Sequence, residues 1–221
     1  MIAALLASAA SLYAFHCASC HGLNGQGTAD GPPLVGVPSV AVHFMLDTGR
    51  MPAVVPYENE LHQRAAFSSR EIDQIVTYVT SFSLHANRAS PRPGPGDPVR
   101  GRALYAENCM PCHGAGGSGG SVGYDNVAPS LADATALEVA EATRTGPGMM
   151  PRFGPDVLSA QDVRDIARYI RYLQTQVGDP NARYAGGVAL GFVGPVAEGF
   201  IAWLFGLGAL VLFVRRIGST R

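Results

Sequence analysis

The chain has no lysine: all sixteen of its basic residues are arginine, set against seventeen acidic ones in 221 residues. Carboxylates outnumber arginines six to three through residue 86, balance them nine to nine from 87 to 177, and fall behind two to four after that. No stretch carries the basic excess that nucleic-acid binding demands, so that class of partner is excluded. Tryptophan occurs once, at Trp203, and long hydrophobic runs are confined to one place, Pro195 to Val214. The first fifteen residues lack the positive charge that opens a secretory signal, and they are too short to span a bilayer. At this length the chain allows one or two domains.

Cysteine is also scarce, and its four copies are all used in two identical patterns, Cys17-Ala18-Ser19-Cys20-His21 and Cys109-Met110-Pro111-Cys112-His113. Cys-x-x-Cys-His is the attachment signature of c-type haem. On a helix, positions i, i+3 and i+4 share one face, so two thiols can add to the two vinyl groups of a haem while the imidazole reaches the iron. Two Cys-x-x-Cys pairs can also make a Cys₄ zinc site, but zinc ribbons place their pairs roughly 15 to 20 residues apart and the gap here is several times longer. A thioredoxin-like redox motif predicts one copy inside a βαβ unit and gives no reason for a histidine after each second cysteine. The expectation is two covalently bound c-type haems, attached through Cys17, Cys20, Cys109 and Cys112.

The motif sits inside a longer repeat. Leu12-Tyr13-Ala14 before the first copy matches Leu104-Tyr105-Ala106 before the second, and a Gly-rich loop follows each. Pro32-Pro33-Leu34 parallels Pro129-Ser130-Leu131, and Thr48-Gly49-Arg50-Met51-Pro52 parallels Thr145-Gly146-Pro147-Gly148-Met149-Met150-Pro151. Each copy closes with apolar residues at helical spacing: Ile72, Ile75, Val76, Val79 and Phe82, then Val163, Ile166, Ala167, Ile170 and Leu173. Ser68 with Glu71, and Ser159 with Asp162, have capping-box spacing, which predicts both helix starts. Tyr78 and Tyr169 fall at equivalent places, as core or haem-edge aromatics.

This order of short helix, haem motif, Gly/Pro loop, Met-Pro and final amphipathic helix resembles the class I cytochrome c fold, twice, over residues 1 to 86 and 100 to 177. The resemblance implies His21 and His113 as proximal iron ligands and Met51 and Met150 as distal thioethers. It also implies that the carbonyl of Pro32 or Pro33, and that of Pro129, accepts the proximal imidazole N–H. Met149 competes with Met150, which is preferred because it precedes proline as Met51 does. His16, His43, His62 and His85 have no repeat counterparts and are read as surface or packing residues. His/Met ligation raises the reduction potential and fills both axial positions, so outer-sphere electron transfer is expected; peroxidase or oxygen-binding chemistry needs a vacant sixth position.

The fold class is therefore mainly α: two tandem class I cytochrome c domains followed by one C-terminal transmembrane helix. Domain 1 covers 1–86, a Pro/Gly-rich linker 87–99, domain 2 100–177, and a second linker 178–193. The stiff first linker limits how far the haem domains separate. The helix, 194–214, holds about twenty apolar residues interrupted by Glu198, enough for roughly 30 Å of bilayer. The tail, 215–221, carries Arg215, Arg216 and Arg221, so by the positive-inside rule it is cytoplasmic and both haem domains lie outside the membrane. A buried core helix is the other reading of that run, and no remaining domain is large enough to surround one. Because export is needed, an export segment upstream of Met1 is expected.

The tail also separates the dihaem families. Gly194-Pro195-Val196-Ala197-Glu198-Gly199-Phe200-Ile201-Ala202-Trp203 is similar to the Gly-Pro-x-x-Glu-Gly-x-x-x-Trp start of the C-terminal anchor of the cytochrome cc subunit of actinobacterial-type cytochrome bc complexes, and the Thr-Gly-x-Met-Pro around Met51 is similar too. The lysine-ringed docking face of a diffusible mitochondrial-type cytochrome c is missing, which fits a tethered carrier. The resemblance implies a plasma-membrane menaquinol:cytochrome c reductase in which a cytochrome b subunit and a Rieske iron–sulfur subunit are partners. This chain would relay electrons from the Rieske cluster to an aa3-type terminal cytochrome c oxidase, often within a supercomplex, with no quinol site of its own. Ala53 to Phe67 is longer than its counterpart Arg152 to Leu158, an insertion read as a docking loop. Two other readings stay open: a dihaem subunit of a cbb3-type oxidase, usually anchored from its N-terminus, and a stand-alone anchored carrier.

Overall fold

Ser68 and Ser159 each start a helix through the same pair of reciprocal bonds. The Glu71 amide donates to Ser68 Oγ at 3.4 Å and the Ser68 amide donates to Glu71 Oε2 at 2.8 Å, while in the second copy the Asp162 amide donates to Ser159 Oγ at 3.2 Å and the Ser159 amide to Asp162 Oδ2 at 2.7 Å. A third capping box, Thr135 with Glu138, opens a helix that its sequence also permits. The computed structural model describes residues 2–53, 63–83, 92–123, 126–177 and 194–218, the side chains of 2–8, 176–177 and 194–198 excepted.

Within the described residues, domain 1 runs α1 (Ile2–His16), α2 (Ala18–His21), α3 (Ser39–Asp47) and α4 (Ser69–Thr80). Domain 2 runs α5 (Pro98–Asn108), α6 (Met110–His113), β1 (Gly120–Gly123), β2 (Asn126–Ala128), α7 (Ala136–Thr145) and α8 (Ala160–Val177), and α9 (Gly194–Gly218) follows. In both domains the helix leading into the cysteine turn crosses the last helix: α1 packs on α4 and α5 on α8. The amphipathic stripes are the cores. Ile72, Ile75 and Val79 keep 1% of their surface, as do Val163 and Ile166, each such side chain contributing about 1.5–3 kcal/mol relative to exposure. Tyr13 and Tyr105 lie buried at matching places, their rings 5.3 Å from Tyr78 and 5.4 Å from Tyr169.

The α5–α8 crossing is tight because position 101 has no side chain. A Cβ there would lie 2.0 Å from the Asp165 carbonyl oxygen, so only glycine allows the backbones to meet. Its counterpart in domain 1 is Ala9 of α1, which is 2% exposed. Two local differences from the sequence reading occur in domain 2. The loop after the second motif closes as a two-stranded antiparallel hairpin with Gly120 opposite Ala128, a pairing of backbone groups that no alternating apolar pattern announces. The helix α5 begins at Pro98, where Pro occupies the first turn and the Asp97 carboxylate accepts from the Val99 amide, so the last two residues of the segment read as linker are helical.

The linker's end is fastened rather than loose. The Asp97 amide donates to Asp165 Oδ1 at 2.9 Å, and the Gln161 amide group and Arg100 converge on the same carboxylate at 2.7 and 2.5 Å. Burial pushes the Asp165 carboxyl up, but these donors more than offset it and hold its pKa below the ordinary aspartate value.

The two domains meet through their equivalent helices, α3 against α7. His43 Nδ1 sits 2.9 Å from Glu141 Oε2 across this contact, so His43 is a packing residue with a specific partner. The hydrogen bond to Glu141 raises the His43 pKa, and burial raises the Glu141 carboxyl despite its partner. Both groups hold protons more tightly in contact than apart. The His43 contribution to the contact is thus fully present below the ordinary imidazole pKa of about 6.5 and is lost as the pH rises through the higher folded value, whereas the Glu141 contribution is lost already above the ordinary carboxylate range. Titrating the haem-loaded protein from about pH 6 to about pH 9 is expected to increase the interdomain distance measured by small-angle scattering. Glu141→Gln should flatten that dependence; an unchanged profile would show that the pair does not set the contact.

Along α9 the described side chains are exposed throughout: Trp203 is 65% accessible and Phe205 71%, and none of the span Gly199–Gly218 is buried by the rest of the chain. A 20-residue apolar helix whose described side chains are exposed is the reverse of a core helix, and it meets the length a bilayer requires. It runs four residues past the 194–214 reading, because Arg215 and Arg216 continue the helix rather than ending it.

Candidate functional site

Each cysteine motif is one turn of helix joined to the preceding one. The Cys17 amide donates to Tyr13 O at 2.9 Å, and the Cys20 and His21 amides return to Cys17 O at 3.2 and 2.9 Å; Cys109, Cys112 and His113 repeat this at 2.8, 3.2 and 2.9 Å. That turn stacks residues i+3 and i+4 over the first cysteine, as the attachment chemistry requires. Gly22 and Gly114 then leave the helix with φ of 79° and 76°, and the buried Tyr13 and Tyr105 hydroxyls each donate to those glycine carbonyls at 2.7 Å. None of the four cysteines forms a disulfide. Among the described residues no three His, Cys, Asp or Glu side chains converge, so the two cysteine pairs do not combine into a zinc site.

Burial pushes the Cys17 and Cys109 thiols up to about 11, with Cys20 and Cys112 acting in the same direction, so both are protonated at neutral pH. Buried Tyr13 is raised likewise, to about 12, first by desolvation and then by its neighbour Cys17.

His21 and His113 are buried, and each ring is tied to a proline carbonyl: His21 Nδ1 to Pro32 O at 2.8 Å, His113 Nδ1 to Pro129 O at 3.0 Å. A carbonyl oxygen can only accept, so Nδ1 carries the proton in both rings and the lone pair of Nε2 is left to bind a metal. Of the two prolines the sequence allows in domain 1, the structure selects Pro32. The loops that present these carbonyls are held alike, the Leu34 amide donating to Gly25 O at 2.7 Å and the Leu131 amide to Gly117 O at 2.8 Å. Two thiols one turn apart and an imidazole whose Nδ1–H is held by a proline carbonyl form the donor set a c-type haem needs, and it occurs twice.

Met51 is half-buried against the domain 1 core, and its amide donates to Met45 O at 2.9 Å. In domain 2, Met149 is 61% exposed while Met150 is half-buried, which favours Met150 as the thioether that faces inward. Gly49 turns the chain just before Met51 with φ of 65°, and a Cβ there would meet the Gln63 and Arg64 carbonyls at 2.6 Å; the far end of the insertion therefore folds back beside this loop. Its middle, residues 54–62, lies outside the described residues, and so do His62 and His85. His16 is exposed, with its ring 5.1 Å from Phe67.

One residue beside the site is not singled out by its sequence pattern. Arg50, immediately before Met51, is 7% exposed, its guanidinium 4.8 Å from the centre of the Phe44 ring. Its only signal in the sequence is a lone charge between Gly49 and Met-Pro, where the second repeat has none.

Residues 6–83 match the family model described as cytochrome c, and residues 96–170 the one described as cytochrome c oxidase, cbb3-type, subunit III. Over 98% of its length the chain is 35% identical to the cytochrome bc1 complex cytochrome c subunit of Mycobacterium tuberculosis (strain ATCC 25618 / H37Rv), covering 78% of that protein. It is 34% identical to the subunit of the same description from Corynebacterium diphtheriae, covering 81% of it. The cbb3-type cytochrome c oxidase subunit CcoP of Cereibacter sphaeroides is 26% identical over 74% of this chain and 59% of its own. With two cytochrome c domains for two covalently attached c-type haems, and one apolar helix after them, the chain belongs to the family of cytochrome bc1 complex cytochrome c subunits.

Proposed function

We propose that this protein is the dihaem electron-transfer subunit of a respiratory menaquinol:cytochrome c reductase, receiving electrons from a Rieske iron–sulfur partner beside cytochrome b and passing them to an aa3-type terminal oxidase. The observation that carries the reading is the family match across both haem domains and the anchor, 98% of the chain. Domains 1–86 and 100–177, joined by the 87–99 linker, would stand on the extracytoplasmic side, with 178–193 leading to the helix and 215–221 inside. The arginines after the apolar run support that orientation. The cbb3 reading has weaker support, since the oxidase subunit matches at 26% over 74% of the chain.

Each haem, when bound, supplies a one-electron ferric/ferrous couple. In this proposal Cys17, Cys20, Cys109 and Cys112 hold the two haems as thioethers. His21 and His113 would offer Nε2 to the iron, with the Pro32 and Pro129 carbonyls keeping each ring from rotating and raising its basicity. Met51 and Met150 would add a soft sulfur donor to each haem, which would favour the ferrous state and leave no place for water to bind. The packed α1–α4 and α5–α8 cores would give each site apolar, tightly packed surroundings.

The mature protein is expected to retain two haems after denaturation, read as a mass increment of two haems and a pyridine haemochrome ratio of two per chain. Cys17→Ala or Cys109→Ala should each leave the other haem in place, because each domain has its own core. A ratio of one in the unmodified protein would overturn the assignment.

A further inference from the structure

Among the described residues, Arg50 is the group beside the domain 1 site whose chemistry is unfinished. It is 7% exposed, and neither Nε nor Nη1 has a hydrogen-bond partner among those residues. A buried guanidinium without an anion is costly, because its hydration is lost and nothing replaces it. The Phe44 ring, 4.8 Å from the guanidinium carbon, covers it but accepts no conventional hydrogen bond. Glu138 of α7 exerts a favourable field on it, and its carboxylate accepts from the Thr135 amide at 2.6 Å in the capping box. A planar donor fork held on an aromatic face is suited to a carboxylate.

We propose that Arg50 binds a propionate carboxylate of the domain 1 haem. The position follows from chain connectivity: Arg50 adjoins Met51, which puts its backbone within one residue, about 3.8 Å between Cα atoms, of the proposed distal ligand. A haem brings two carboxylates with it, the only anions that must enter this site together with the cofactor. The turn at Gly49, pressed against the Gln63 and Arg64 carbonyls, allows the arginine no easy retreat to solvent. Placing a cation on the propionate disfavours the ferric state, so Arg50 raises the potential of the first haem. Domain 2 has Pro147 and Gly148 in the corresponding stretch, and its arginines stand at other places in the repeat, Arg152 after Met150-Pro151 and Arg144 before Thr145, where it donates to the Phe153 carbonyl at 2.8 Å. This inference rests on the proposed domain 1 site, and its test separates the two.

The test uses the full haem-loaded chain with Arg50→Gln and Arg50→Lys. Resonance Raman spectroscopy reads the propionate bending mode, the near-infrared sulfur-to-iron band reads Met51, and potentiometry resolves the two haems. Arg50→Gln is expected to shift the propionate band and lower the potential of one haem while the near-infrared band and the other haem stay as they were. Arg50→Lys, which keeps the charge but loses the fork, should shift the same band and restore most of the potential. If Arg50→Gln fails to accumulate, the propionate band of Arg50→Lys decides alone. An unshifted propionate band in whichever variant is loaded overturns the proposal. Loss of the near-infrared band in Met51→Ala checks the ligand independently of Arg50.

Discussion

Deleting residues 193 to 221 is expected to release a soluble protein that still carries both haems and to stop electron flow from quinol to oxidase. The span Gly199–Gly218 is apolar and its described side chains are exposed, and each haem domain keeps its own buried core without it. A helix of that length contributes far more membrane affinity than any surface contact of the domains could replace. Both haems should remain reducible by dithionite, while membranes containing the truncated chain lose quinol-dependent reduction of them. Co-purification with cytochrome b and Rieske subunits should be lost together with respiration. A reporter fused after Arg221 should be active only in the cytoplasm; periplasmic activity would reverse the orientation, and normal respiration by the truncated protein would favour a diffusible carrier.

Replacing Met51 by His is expected to lower the potential of one haem by a few tenths of a volt, a fraction of the roughly 0.8 V that axial ligation spans. An imidazole is a harder donor than a thioether and stabilises ferric iron. Met150→His should do the same to the other haem. Met149→His should change little, since that side chain is 61% exposed and Met150 is the half-buried one of the pair. Spectroelectrochemical titration of the three variants checks this directly. A shift from Met149→His with none from Met150→His would exchange the two assignments.

Features that depend on neighbours along the chain are legible in the sequence. Ser68 and Ser159 cap their helices because the partner carboxylate is three residues away, and Ile72, Ile75 and Val79 are buried together because 3.6 residues make a turn. The hairpin at Gly120 to Ala128 is illegible for the converse reason: its glycines carry no side-chain pattern, and it exists through backbone pairing. The helical state of Pro98 and Val99 is hidden too, because a proline-rich run looks like linker unless Asp97 caps it.

The two cysteine motifs, their histidines and the membrane helix were determined by sequence alone, since attachment is set within one helical turn and bilayer crossing by a continuous apolar length. The tertiary structure decided what depends on burial and on residues far apart in the chain. It chose Pro32 over Pro33 as the acceptor for His21, and it turned Met149 outward. It set His43 against Glu141, 98 residues away, and closed Arg50 off from water. Sequence spacing specifies which side chains share a face of one element, whereas the hydration and charge around a group depend on which other elements pack over it.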